Sequence, residues 1–183
     1  MNSHKIKRMV GIASLAAVVV VLQLIANYIP GPGGVSITLA LIPLVIGAIL
    51  YGPTGGTILG VIMGGIILTA PSTASFLNVR PFITVVLCLV KTGVAGLVSG
   101  FVFNLLKKQN LTLAVILASV LVPILNTGIF SIGCILFYME TLTEWAGGSN
   151  AIAYLFLTMI GINFIVEFII NSVLTLLLVK YSL

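Results

Sequence analysis

The chain has 183 residues, of which 60% are hydrophobic and 6% are charged, with eight Lys or Arg and three acidic residues. Soluble domains carry about 25% charged residues, so this composition excludes an ordinary soluble protein. The net charge of +5 does not indicate nucleic-acid binding, because the basic residues form no patch large enough to follow a phosphate backbone.

The first long uncharged stretch, residues 9–79, predicts three membrane helices, because one span needs about 20 residues. Proline and clustered glycine end helices, and such segments occur at 30–34 and 52–56, with a Pro/Ser/Thr-rich break at 71–75. The predicted helices are 9–29, 36–51 and 54–70. The second is short for a membrane span, and it contains Pro43.

The rest of the chain predicts three longer helices, near 79–106, 111–139 and 151–180. Cytoplasmic ends of spans are enriched in Lys and Arg. With six spans, one side of the membrane holds Lys5, Lys7, Arg8, Lys107, Lys108 and Lys180. A single span over 36–70 would instead separate the Lys107–Lys108 pair from the N-terminus. We therefore predict an all-α, polytopic membrane protein with six transmembrane helices, both termini cytoplasmic, and one domain over residues 1–183.

Glycines recur every fourth residue in the third and fourth predicted helices, at Gly56, Gly60 and Gly64 and at Gly96 and Gly100. Glycines at this spacing let the backbone of a neighbouring helix approach closely in lipid. The pattern predicts helix packing within a compact bundle.

Two ionisable residues are predicted near mid-membrane, Lys91 and Glu167. A charge there costs about 2.5–3.5 kcal/mol or more, so it is a functional hypothesis by default. The two side chains either pair with each other or contact a ligand. Asn163 and Asn171 lie four residues on either side of Glu167 and share its helix face. With Asn126, these residues predict a polar pocket inside the bundle, as a small-molecule site requires.

The predicted outer surface supplies further candidates. Asn78 and Arg80 flank the start of the fourth helix, where the guanidinium either binds a ligand carboxylate or reaches lipid headgroups. The loop after the first helix is a candidate lid over the pocket, with Tyr28, Pro30, Gly31, Pro32 and Gly33 as its gating residues.

Residues for chemistry are scarce. The only His is His4 in the N-terminal tail, and Cys88 and Cys134 lie in apolar segments, so no metal site or disulfide is predicted. An intramembrane enzyme would have only Lys91 or Glu167 as a base. A P-loop is also absent from the sequence. A transporter of this kind either passes solute downhill or takes its energy from another subunit.

Several segments together resemble a known family. They are residues 42–53 followed by the Gly-rich helix, residues 91–96, residues 123–128, and the Ala13-x-x-x-Ala17 motif of the first helix. In length and order the chain resembles the substrate-binding S component of energy-coupling factor (ECF) transporters, which import vitamins in bacteria. The resemblance covers nearly the whole sequence.

The resemblance implies a mechanism. The S component sits in the bacterial cell membrane and binds its vitamin from outside with high affinity. It then docks on a transmembrane T component through the first helix, here through Ala13 and Ala17. Two ATPase subunits use ATP, and this chain itself needs no cofactor. The loop between the first two helices is the family's usual gate.

The pattern looks most like the pantothenate-type members. Arg80 would suit the carboxylate of that vitamin, and Asn126 and Asn163 would suit its hydroxyl and amide groups. The alternatives are another water-soluble vitamin such as folate or riboflavin, an autonomous small-solute carrier, or a structural membrane subunit.

Overall fold

The computed structural model describes residues 3–29 and 38–182. These residues are helical with short connections, so the predicted all-α fold is confirmed. The helices are α1 (Ser3–Tyr28), α2 (Leu41–Ile67), α3 (Pro71–Val79), α4 (Pro81–Leu106), α5 (Leu111–Phe137), α6 (Met139–Trp145), α7 (Ala151–Ala153) and α8 (Ile162–Ser182). A π-helical segment, Tyr154–Gly161, joins α7 to α8.

Five helical stretches in the described part of the chain are long and apolar enough to cross a membrane: Ser3–Tyr28, Leu41–Ile67, Pro81–Leu106, Leu111–Phe137 and Ala151–Val173. The predicted six spans are not confirmed by this count. The difference arises in α2, because this one helical stretch, Leu41–Ile67, takes in most of both segments predicted as separate helices, 36–51 and 54–70.

Helix α2 is broken at Gly52. Its backbone there has φ 72° and ψ −167°, outside the helical region, and glycine adopts such a positive φ without steric cost. Pro53 then begins the second half, since proline suits the first turn of a helix. We name the halves α2a (41–51) and α2b (53–67).

The two halves of α2 fold back on each other. A Cβ placed on Gly56 would lie 2.9 Å from the Cβ of Ala48. In a straight helix, residues eight apart are separated by about 12 Å along the axis. The chain therefore reverses direction at Gly52, as the predicted break at 52–56 required.

Glycines hold α2b against α4, which confirms the predicted packing role. A Cβ added to Gly60 would clash with the carbonyl of Thr92 and lie 2.9 Å from the Cα of Gly93. Farther along, a Cβ on Gly64 would lie 2.6 Å from the carbonyl oxygen of Cys88. The two helices thus meet backbone to backbone.

We expect Gly60→Ala to lower the thermal unfolding temperature of the purified protein, because the new methyl must push the α4 backbone away. Overpacking of this kind costs about 1–3 kcal/mol. Gly65→Ala is the matched control on the same helix, since a Cβ there meets nothing within 4 Å. Equal melting temperatures for the two variants in the same detergent would contradict the close packing.

The bundle has two distinct ends. At the first, which we call the basic end, Arg8 Nη2 donates to the carbonyl oxygen of Tyr51 at 2.8 Å, and Lys7 and Lys107 lie nearby. At the second, the cavity end, Asn27 Nδ2 donates to the carbonyl oxygen of Ile66 at 3.1 Å. Helix α1 therefore runs from the basic end to the cavity end.

The apolar core has two parts. One lies among α1, α2, α4 and α5 and includes Val19, Leu44, Leu59, Ala95 and Val122. The other lies at the cavity end and includes Phe76, Tyr138, Leu142, Leu155 and Met159. Trp145, the only Trp in the sequence, packs edge-on against Phe76 there, with 5.2 Å between ring centroids. Together these clusters frame an internal cavity.

Candidate functional site

The cavity lies between α1, α3, α4, α5 and the C-terminal helices. Its volume is about 90 Å³, several times the ~10–15 Å³ that one buried water requires. The cavity therefore has room for a small organic molecule. Its polar lining residues are Gln23, Asn27, Thr38, Ser72, Thr73, Thr84, Lys91, Asn126, Thr127, Tyr138, Asn163 and Glu167.

Four of the predicted pocket residues line this cavity: Lys91, Asn126, Asn163 and Glu167. They come from three helices, α4, α5 and α8, and the fold brings them together. Asn126, Asn163 and Glu167 are 5%, 4% and 7% exposed. Buried polar side chains are normally hydrogen-bonded, either to the protein or to a bound molecule.

The other predicted site residues lie elsewhere. Asn78 and Arg80 are exposed near the α3–α4 junction and do not line the cavity. Tyr28 is 75% exposed at the end of α1, and the remaining predicted gating residues, Pro30, Gly31, Pro32 and Gly33, lie outside the described residues.

Asn171 does not line the cavity and instead makes a contact between two helices. Its Nδ2 donates to the carbonyl oxygen of Ser119 at 2.8 Å, which ties α8 to α5. The stripe of Asn163, Glu167 and Asn171 is buried along its length, so the predicted inward direction is confirmed. The first two line the cavity and the third joins helices below it.

Lys91 and Glu167 do not pair with each other. Lys91 Nζ lies 4.7 Å from the centroid of the Phe130 ring. Glu167 Oε1 accepts a hydrogen bond of 2.6 Å from the backbone N–H of Thr38. Within the described residues, no carboxylate lies within 4.0 Å of the Lys91 ammonium. A π face balances a cation weakly compared with an anion, so Lys91 offers a positive charge to the cavity.

Gln23 contributes to the cavity and was missed in the sequence prediction. It is 2% exposed, and its Nε2 donates to Asn27 Oδ1 at 2.8 Å. The signal was present, because Gln23 and Asn27 are four residues apart in an otherwise apolar helix and share one face. Asn27 is 5% exposed and also lines the cavity.

Two amide oxygens in the cavity wall have no hydrogen-bond partner among residues 3–29 and 38–182. In the described part of the chain, neither Gln23 Oε1 nor Asn126 Oδ1 accepts a hydrogen bond. Leaving a buried acceptor unsatisfied costs about 1–3 kcal/mol. Both oxygens therefore favour a molecule in the cavity that donates hydrogen bonds.

Hydroxyl groups line the side of the cavity nearest α3, and they too were not predicted. Thr84 Oγ1 and Tyr138 Oη lie 2.6 Å apart, and Tyr138 Oη donates to the carbonyl oxygen of Arg80 at 3.1 Å. Arg80 thus touches this side of the site through its backbone. The aromatic rings of Phe76, Phe130 and Phe164 complete the wall.

The π-helical segment shapes the wall formed by the C-terminal helix. Met159 and Ile160, both within it, line the cavity. Asn163 follows directly and donates from Nδ2 to the carbonyl oxygen of Met159 at 3.2 Å. Widened turns of this kind are frequent at functional sites, and here they set the position of Asn163.

The side chains that line the cavity suit the binding of a small molecule. One cation, one carboxylate and several amide and hydroxyl groups converge in an apolar chamber, as in small-molecule sites generally. Among the described residues, no group of three or more His, Cys, Asp or Glu is placed to hold a metal ion.

The chain was compared with known proteins. The family model described as "ECF transporter, substrate-specific component" matches residues 7–179. A comparison with curated protein sequences gave no match. The family match covers nearly the whole chain, including every cavity-lining residue.

Proposed function

The chain belongs to the substrate-specific components of ECF transporters, and from this premise we propose that it binds a pantothenate-like vitamin in the cavity described above. As a member of this family it is a substrate-binding subunit of a membrane transporter and not an enzyme. The vitamin, the binding residues and the docking face are the parts that we propose.

The observation that carries the proposal is that the Lys91 ammonium, which packs on the Phe130 ring, lines the same cavity as two amide oxygens that have no hydrogen-bond partner among the described residues. Pantothenate has one carboxylate, two hydroxyls and an amide. We assign the carboxylate to Lys91, because Arg80 is exposed and does not line the cavity. The hydroxyl and amide protons are then donors for Gln23 Oε1 and Asn126 Oδ1.

Other vitamins fit these groups less well. Folate carries two carboxylates, and Lys91 is the one cation that lines the cavity in the described part of the chain. Riboflavin has a large flat ring system and carries no carboxylate to pair with Lys91.

The topology that we propose has six crossings with both termini in the cytoplasm. The reversal of the chain at Gly52 supports separate crossings for α2a and α2b. Lys7, Arg8 and Lys107 lie together at the basic end, which the positive-inside rule assigns to the cytoplasm of a bacterial cell. The cavity end then faces the vitamin outside.

Docking on the T component is proposed for the outward face of α1. Ala13 and Ala17 are exposed there, one turn apart, and small residues at this spacing let a second helix approach closely. Two ATPase subunits bound to the T component would supply the energy from ATP.

Titration of the purified protein with a panel of vitamins, in detergent and without ATP, tests the assignment. We expect saturable, nanomolar binding of pantothenate by isothermal titration calorimetry. Tight binding of folate or riboflavin instead would refute the choice of vitamin. Failure of every vitamin to bind would refute the binding function of the cavity.

A further inference from the structure

A second concave site lies at the basic end of the bundle, far from the vitamin cavity. It is a groove of about 540 Å³ between the start of α1, the turn at Gly52 and the end of α4. Its polar lining comes from Lys7, Arg8, Tyr51, Asn104 and Lys107. We name it the basic groove.

Among the described residues, no acidic side chain lies beside the cations of the basic groove. The sequence has only three acidic side chains, and these are Glu140, Glu144 and Glu167. The first two belong to α6 at the cavity end, and Glu167 lines the vitamin cavity. Cations gathered without a carboxylate attract an anion from outside the chain.

Internal hydrogen bonds shape the groove without neutralising it. Arg8 Nη2 donates to the carbonyl oxygen of Tyr51 at 2.8 Å and also to Thr54 Oγ1. Lys107 Nζ donates to Asn104 Oδ1 at 2.6 Å. All of these acceptors are uncharged. Arg8 is therefore fixed as part of the wall, and Lys107 keeps two ammonium protons for a ligand.

The surroundings of the groove are apolar, which points to a lipid. Leu50 lines the groove and is 58% exposed. Val10, one turn after Lys7 on α1, is 59% exposed and shares the helix face of Lys7. Exposed apolar side chains next to a cationic groove match a phosphate headgroup with its acyl chains attached.

We propose that the basic groove binds the headgroup of an anionic phospholipid. Lys7 and Lys107 contact the phosphate, Arg8 holds the turn at Gly52 in place, and Leu50 and Val10 contact the acyl chains. A phospholipid headgroup and free phosphate both present a phosphate anion to the groove. The exposed apolar side chains beside the groove favour the lipid over free phosphate.

Native mass spectrometry of the purified full chain tests this site. The protein is incubated with phosphatidylglycerol or phosphatidylcholine of identical acyl chains, and the retained adducts are counted. We expect phosphatidylglycerol to be retained preferentially, and Lys107→Gln to lower its apparent affinity about fivefold, the effect of one cation near an anionic surface. Lys108→Gln is the matched control, because Lys108 is exposed and does not line the groove.

The outcomes separate the alternatives. Weaker phosphatidylglycerol binding in Lys107→Gln, with unchanged binding in Lys108→Gln, supports the proposed lipid site. An equal loss of phosphatidylglycerol binding in both variants would mean that the lipid binds a diffuse basic surface, and would overturn the proposed site. A third arm adds excess inorganic phosphate: displacement of the lipid at millimolar phosphate would show a free-anion site and overturn the lipid assignment. Vitamin binding is measured in parallel, so a failure of the lipid proposal can be told apart from a failure of the proposed vitamin binding.

Discussion

Lys91→Gln is expected to weaken the binding of an acidic vitamin by thirtyfold or more. In the proposed complex the ligand carboxylate and the Lys91 ammonium form a charge pair shielded from water. Removing one partner of such a pair costs about 2–5 kcal/mol, and each 1.4 kcal/mol is a factor of ten in affinity. Calorimetric titration of the wild-type and variant proteins measures the difference.

A neutral analogue supplies the control for this prediction. An analogue with an alcohol or amide in place of the carboxylate should bind the two proteins with nearly equal affinity, because it makes no charge pair. Lys108→Gln, which removes a lysine outside the cavity, should leave both affinities unchanged. If Lys91→Gln weakened the acidic and neutral ligands equally, Lys91 would have a structural role and the carboxylate assignment would be wrong.

Ala17→Trp is expected to reduce vitamin uptake by the complete transporter to background while leaving vitamin binding within about twofold of wild type. Ala17 is exposed on α1, and a large ring there prevents the close helix approach that small residues permit. Transport of radiolabelled vitamin into cells and binding to the purified chain are the two measurements. Ala13→Trp should behave in the same way.

The control for the docking face is Val18→Trp. Val18 is 45% exposed and lies about 100° around α1 from Ala17. Its replacement should therefore leave uptake largely intact. Loss of binding in Ala17→Trp would show that the alanine face stabilises the fold, and equal loss of uptake in Val18→Trp would show that docking is not confined to the alanine face.

Patterns of period and spacing predicted much of this fold. The four-residue spacing of Asn163, Glu167 and Asn171 placed them on one inward face, and burial confirms it. The glycine spacing of α2b and α4 predicted close helix packing, and the structure shows that these two helices pack against each other. Both predictions depend only on which residues share one face of a single helix, and residue spacing in the sequence gives this directly.

Contacts between helices were harder to predict from the sequence. Lys91 and Glu167 were predicted at similar depth, which left an ion pair open, and depth alone does not fix the rotation of two helices about their axes. In the structure Lys91 meets Phe130 and Glu167 meets Thr38. Gln23 was overlooked because one amide in a hydrophobic run gives a weak signal until the opposing wall is known.

Local irregularities account for the remaining differences. The segment 71–75 was predicted as a break, and in the structure Pro71 begins the short helix α3 there. Pro81 begins α4 with Arg80 directly before it, as predicted. The π-helical segment Tyr154–Gly161 has no sequence signature comparable to a proline or glycine break. These features depend on packing around the cavity.

The small molecule that co-purifies with the chain shows what the cavity binds. The protein is purified in parallel as wild type and as Lys91→Gln, and the released ligand is measured by mass spectrometry. We expect a carboxylate-bearing, water-soluble vitamin at near one equivalent in the wild type and a strongly reduced amount in the variant. A ligand without an acidic group, or one retained equally by both proteins, would contradict this expectation.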